Sequence, residues 1–453
     1  MRRALALVAA LLVACDGGNE DRATPSPAAT VAATESATAA REPIPTRTVE
    51  ATRPRNELVR QQQVLVFDIA TETFTSLLPP APDEEGAFYF ASSFSPTFTP
   101  DGSHVWVSER SAFESRRYAL DGSVEHEVPG WLMDESAPGT LAYLRQTPEG
   151  HELTVLRDND VTDRDEIPTR GRIDLSPDGS KVAYWTAGED ETVAVEVADV
   201  TTGEVLAHAG RIGLCQCDGG AGFGWSPSSR YLAFADVRAP LGDDTDPEAG
   251  TYALDTITGA RIRLAENEGR PGGWLEDDRY VGERDGWVVV LHLPTGEVER
   301  RIAPLDPRGA FFWVTGDMVA VPERDTRGLT QTTRIYDIAS GTLVSEWPGE
   351  ARASLVEGGV AVEQRTDPNS VILHHPLLRE PYEARGWILP SPDGEHFAVA
   401  DGVSVHIYRI VDGEPVEIGD HDDPEFRRWG ISVHPSEWNA AGTHLLIAIG
   451  FGL

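Results

Sequence analysis

The sequence predicts an all-β chain folded as a single β-propeller, and three observations carry that expectation. A tight turn of the Pro-Asp-Gly type, set between two short apolar runs, recurs along the chain, as in "LSPDGSKVAYW" at 175–185. Between its copies an alternating apolar run ends in a second turn near Thr-Gly, as in "VEVADVTTGE" at 195–204. Copies recur roughly every 35 to 50 residues beyond residue 60, the period of a radial repeat rather than of separate domains.

The first 57 residues stand apart from this pattern. "MRRALALVAALLVAC" places two arginines before an unbroken apolar run from Ala4 to Ala14. That run suits a signal-peptide core and is too short for an anchor helix. Leu12-Val13-Ala14-Cys15 resembles the bacterial lipobox, in which small residues admit the signal peptidase and the cysteine thiol takes a diacylglyceryl group. The resemblance implies a signal peptide over 1–14, lipid attachment at Cys15 and an extracytoplasmic chain anchored to a bacterial membrane at the cell envelope. Residues 15–57 are rich in Ala, Thr, Pro and Ser and hold almost no large apolar side chain, so burial cannot offset their conformational entropy. They read as a disordered tether with a root-mean-square span of roughly 35 Å.

From residue 58 to 453 the repeat takes over. The stronger turn copies lie at 98–107, 175–185, 225–235, 274–283, 390–400 and 438–448, with weaker ones at 137–144, 313–321 and 356–362. Asp-Gly supplies the positive φ of a tight turn and Pro presets its first position. Alternating β-branched and aromatic residues between turns supply the strands, so each unit reads as four short strands. One such unit cannot cover its own apolar faces; stacked around an axis, each covers the next. Ala183, Ala233 and Ala398 then permit close approach of blades, and Trp225, Trp274, Trp313 and Trp438 fill the wedges between them. An aromatic platform in the central channel is the alternative use of these tryptophans.

The repeated "SPDG" at 176–179 and 391–394, followed by an apolar strand, resembles the TolB-like and WD-repeat propeller superfamily over about residues 60–450. Ser228-Ser229 and Asp277-Asp278 depart from the motif by lacking glycine. The resemblance implies the fold and no single activity, because propellers serve many roles.

Closure follows from what the two ends lack. The folded part begins with an outer pair of strands, 63–78, and finishes with an inner pair, 438–450, which together make one blade and remove the exposed edges. Literal counting reaches nine units with that shared blade. Propellers usually have about four to eight blades, so eight is expected, with 131–168 or 353–384 the miscounted unit; nine is the literal count and seven stays open.

Chemistry is sparse. Cys215-Gln-Cys217 is a candidate local disulfide outside the cytoplasm, with free thiols the alternative, and the adjoining residues lack further zinc ligands. Acidic loops at 158–166, 242–248 and 419–425 invite calcium, but none follows the twelve-residue loop pattern and each reads as a solvated turn. His374-His375 reads as part of an outer strand. No nucleophile elbow, zinc-protease helix or phosphate loop is present, so neither catalytic residue, metal nor cofactor is expected.

The formal net charge is −36, and residues 1–57 sum to zero with seven Arg and seven acidic residues, so the excess belongs to the propeller. Such a surface repels nucleic acid and anionic headgroups, leaving the lipid as the only membrane contact. The expected function is a monomeric, non-enzymatic scaffold binding an envelope protein, peptide or glycan. A hydrolase or lyase built on the propeller is the alternative, and an accessory role in an envelope machine a third reading.

Overall fold

The computed structural model describes residues 63–77, 94–109, 114–136, 140–147, 150–157, 160–162, 169–187, 193–212, 223–236, 250–265, 272–305, 312–326, 329–367, 370–422 and 431–451. These residues form nine antiparallel sheets of four strands. Blades 1 to 8 span 94–128, 131–162, 169–212, 223–265, 273–304, 313–348, 350–385 and 387–422; blade 9 joins 431–451 to 63–76. Each sheet packs on the next in chain order, and blade 9 packs on both blade 8 and blade 1, so the ring closes. Among the described residues the only helical element is a single 3-10 turn at Glu276–Asp278.

The blade count corrects the expected eight. Both suspect units are complete four-stranded sheets at 131–162 and 350–385. The second lacks a Pro-Asp-Gly turn but reverses through Gly358 and Gly359, at φ 91° and 150°. Strand pairing needs only some backbone that turns, so loss of the motif does not remove the sheet. The departures elsewhere are absorbed in the same way: Ser229 and Asp278 adopt φ 62° and 57° where the motif has glycine.

Closure occurs as expected. Within blade 9 the strands from the two chain ends pair antiparallel, with Leu65 opposite Ile447 and Val66 opposite Leu446. The order from axis to rim is Ile431–Trp438, His444–Phe451, Gln63–Asp68, Thr73–Ser76.

The cores lie between blades. Ala183, Val195 and Val197 of blade 3 meet Trp225, Leu232 and Phe234 of blade 4. Ala233 and Ala253 meet Tyr280 and Val289 of blade 5, and Ala398 and Ile407 meet Phe67 and Leu445 of blade 9. The alanines are small because a facing ring occupies the space, in keeping with close packing.

Turn chemistry explains where strands stop. Ser176 Oγ accepts the Lys181 N–H (2.9 Å), Asp178 Oδ1 accepts the Ser180 N–H (2.9 Å), and Gly179 donates to the Ser176 carbonyl (2.8 Å). At Gly394, φ is 72° and a Cβ would stand 2.4 Å from the Glu357 carbonyl oxygen of blade 7, whereas at Gly259 φ is 71° with open space around it. Gly259→Ala is therefore expected to cost about 1 kcal/mol from backbone strain alone, and Gly394→Ala about 2–3 kcal/mol. Urea unfolding of the two variants checks this; equal losses would show that the blade 7 carbonyl yields freely.

Candidate functional site

Because every blade runs as four antiparallel strands, its first-to-second and third-to-fourth turns emerge at one rim of the ring. The second-to-third and blade-to-blade connections emerge at the other. At the first rim successive blades interlock. Asp178 N–H donates to Ser229 Oγ (3.1 Å), Lys181 Nζ to the Ser229 carbonyl (3.1 Å), and Ser228 Oγ to Asp278 Oδ1. At the equivalent turn of blade 1, hydrogen bonds from Thr99 and Ser103 lower Asp101 to about 2. The third-to-fourth turns are closed by Asp68, Asp199, Asp255 and Asp337, whose carboxylates accept backbone N–H groups two or three residues on. Asp255 also takes both Nε and Nη2 of Arg230 (3.3 and 2.7 Å).

Near the axis the tryptophans do structural work. Trp225, Trp274 and Trp438 each close an inner strand and donate Nε1–H to a carbonyl of the preceding blade's inner strand: Asp174 (3.1 Å), Gly224 (2.9 Å) and Leu389 (3.0 Å). Where the equivalent residue is Leu175 or Phe98, the later blade still donates, but from its backbone to a side chain. Asp134 and Glu437 of the preceding blade accept the backbone N–H of those residues, at 2.8 and 2.5 Å. Burial pushes Glu437 up despite the Phe98 and Thr97 hydrogen bonds. Trp313 differs from its expected place: it pairs with Ala320 at the other end of its inner strand and packs between blades 6 and 7.

Two side-chain clusters near blade 7 have no counterpart in that repeating scheme. The first is a charge quartet. Glu350 stands opposite Arg365 and Arg352 opposite Glu363 on the two innermost strands, and Arg352 Nη2 lies 3.4 Å from Glu350 Oε1. The Arg365 guanidinium sits 5.7 Å over the Trp387 ring of blade 8. Burial drives Glu363 up to about 7, against the pull of Arg352 and Arg365. The cavity beside it, about 20 Å³, has room for one water.

The second is an open pocket of about 350 Å³ at the first rim, between blades 6 and 7. Trp347, on the outermost strand of blade 6, faces Val360, Val362 and His374 of blade 7. The Trp347 and His374 ring centroids are 4.2 Å apart. Gln364 ties the blades together, donating Nε2–H to the Pro348 carbonyl (2.9 Å) and accepting from His374 Nε2 (3.0 Å). Burial lowers His374 and His375, so both rings are neutral at pH 7. The outer wall is the connection 375–381, "HPLLREP", which stands where most other blades have a tight turn ending in glycine, as at Thr202-Gly203 and Thr258-Gly259. It is pinned to blade 8 by the Arg379 N–H on the Gly413 carbonyl (3.0 Å).

Of the residues expected from sequence, Cys15, Cys215, Cys217, the acidic loop at 242–248 and most of that at 158–166 lie outside the described residues, whereas Asp160–Thr162 and residues 419–422 belong to outermost strands rather than to turns. Among the described residues no three His, Cys, Asp or Glu side chains converge as metal ligands. His374 ends the third strand of its blade, Ser370–His374, one of the outer pair as expected, and His375 begins the connection beyond it. The signal for the pocket was present at 375–381: no Gly, and two prolines, where the repeat has a Thr-Gly turn. Trp347, Arg379 and Glu380 carry no signature of their own.

No family model matches the sequence, and no curated protein matches it. Among solved structures, a eukaryotic initiation factor is similar at 12% identity with a TM-score of 0.49, covering 80% of this chain and 97% of that one. The dihydro-heme d1 dehydrogenase NirN aligns at 15% identity and a TM-score of 0.38, over 82% and 77% of the two chains. A putative TolB from Agrobacterium tumefaciens aligns at 14% identity and 0.31, over 87% and 99%. The nine sheets and their closed ring, rather than these similarities, make the described residues a single β-propeller.

Proposed function

We propose that this chain is an extracytoplasmic, lipid-tethered β-propeller that serves as a non-enzymatic binding scaffold at the cell envelope. One observation carries the reading: the two rims differ. At the first, short turns are interlocked by hydrogen bonds between blades. The second takes the longer connections, among them those over 78–93 and 237–249, and also the start of the described propeller at Gln63. A tether running from Cys15 would therefore meet the propeller on its variable side. A scaffold tethered there engages partners within reach of the membrane, and its strongly acidic propeller favours a partner with a basic surface.

Two measurements test this. Radiolabelled palmitate is expected to label the wild-type chain and not Cys15→Ser. Immobilised full chain is expected to retain an envelope component at low salt and release it at high salt, because exposed charges are screened within about 8 Å at physiological ionic strength. If nothing is retained while hydrolase or lyase substrates turn over, the scaffold reading fails and the enzyme alternative replaces it.

A further inference from the structure

We propose that the pocket between blades 6 and 7 binds a single neutral sugar residue of a glycan. The inference rests on the scaffold reading and assigns a ligand class to one site on it. Three observations select that class.

The first is the mixed character of the lining. Trp347, Val360, Val362 and Leu378 offer an aromatic and aliphatic surface, while Arg379 and Glu380 bring a planar donor and a planar acceptor to the rim. A sugar ring has both requirements in one body: a C–H face for the indole and vicinal hydroxyls for the guanidinium and carboxylate. The volume, about 350 Å³, belongs to a small-molecule pocket.

The second is charge. Glu380 neighbours Arg379 in sequence, and Glu414 lies 3.7 Å from Arg379 Nη1. An anionic ligand would meet two carboxylates and the field of a chain of net charge −36. A cationic one would meet Arg379. A neutral ligand meets neither opposition.

The third is an unmet donor. His375, only 6% exposed, lines the pocket, and its Nδ1 accepts the Leu377 N–H (3.2 Å). The neutral ring therefore carries its proton on Nε2, which has no partner and is buried. A buried donor without an acceptor costs about 1–3 kcal/mol; Nε2 is closed to solvent, so a ligand hydroxyl in the pocket meets it once the His375 ring shifts toward the pocket. A peptide strand fits less well, since Pro376 and Pro381 remove backbone N–H groups from the pocket wall that strand addition would use.

The walls are preset. Gln364 joins blade 7 to blade 6 next to Trp347, and the backbone of Arg379 is bonded to blade 8, so no loop has to order on binding.

Calorimetric titration of the full chain, in a detergent without a sugar headgroup, tests the proposal with neutral hexoses, N-acetylhexosamines and their disaccharides. At least one is expected to bind saturably. Trp347→Ala and Glu380→Gln are each expected to weaken it about tenfold, with Trp347→Phe retaining most of the affinity. Glu380 lies on the surface connection, so its variant stays informative even if Trp347→Ala misfolds. Binding of none of these sugars overturns the proposal, as does sugar binding indifferent to both substitutions. Preference of the same site for a small organic anion or a proline-rich peptide also overturns it. Loss of sugar binding with envelope capture intact removes this inference alone; loss of capture with sugar binding intact removes the scaffold reading as a protein-binding one.

Discussion

Phe67→Ala is expected to lower the unfolding free energy by about 3–5 kcal/mol and to open the ring at one place. Phe67 is fully buried on the third strand of blade 9, opposite Leu445 from the other end of the chain. Its ring lies 4.7 Å from that of Phe74 and fills the space where a side chain at Gly419 of blade 8 would stand. The same side chain therefore holds blade 9 together and holds it to blade 8. Truncation leaves a cavity at a seam where no covalent link joins the two halves of the sheet. The control is Phe397→Ala, equally buried but within the continuous blade 8. Limited proteolysis under native conditions is expected to release residues 63–77 from the Phe67 variant well before the rest of the propeller, and not from the Phe397 variant. Equal protection of that segment in both would show that the seam is no weaker than any other blade, and the closure argument would lose its energetic content.

The second large effect concerns pH. Glu363 titrates at about 7 in the folded protein and at the ordinary glutamate value of 4.5 once unfolded. Between those values the folded state holds a proton that the unfolded state has released, so stability falls as pH rises from about 4.5 to about 7 and levels off above. Burial dominates, since neither Arg352 nor Arg365 forms an ion pair with Glu363 and the nearest bridge in the quartet joins Arg352 to Glu350. Glu363→Gln, a neutral isostere of the protonated acid, is expected to raise stability by about 1–3 kcal/mol at pH 8 and to leave it unchanged near pH 4.5. Urea unfolding of both proteins across that range measures the difference. Glu437, also pushed up by burial, adds a slope of the same sign to both proteins, so the difference isolates Glu363. A Gln variant less stable than the wild type at pH 8 would falsify the assignment, because it would mean that attraction to the two arginines exceeds the cost of burial.

Much of the architecture was legible in the amino-acid sequence because turn chemistry is local. Ser176, Asp178 and Gly179 bond among themselves, and so announce a reversal without reference to anything distant. The alternation on either side assigns faces, and the unequal ends, an outer pair at 63–76 and an inner pair at 431–451, require the shared blade. The sequence also indicated that Trp225, Trp274 and Trp438 belong to the walls, because they recur at one repeat position. It did not separate Trp313, whose shorter turn shifts it to the opposite end of its strand.

The count of nine, the pocket and the quartet were decided only by the tertiary structure. A ring admits whatever number of blades lets each face cover the next, and that depends on the angle between sheets rather than on any single motif. The pocket needs Trp347 of one blade beside His374 of the next, and the perturbed Glu363 needs enough burial to outweigh Arg352 opposite it and Arg365 two residues on. Each is a contact between strands whose adjacency is fixed by register and blade packing. Residue types along the chain carry turn and strand preferences directly, but they carry burial and charge environment only once the neighbours across the sheet are in place.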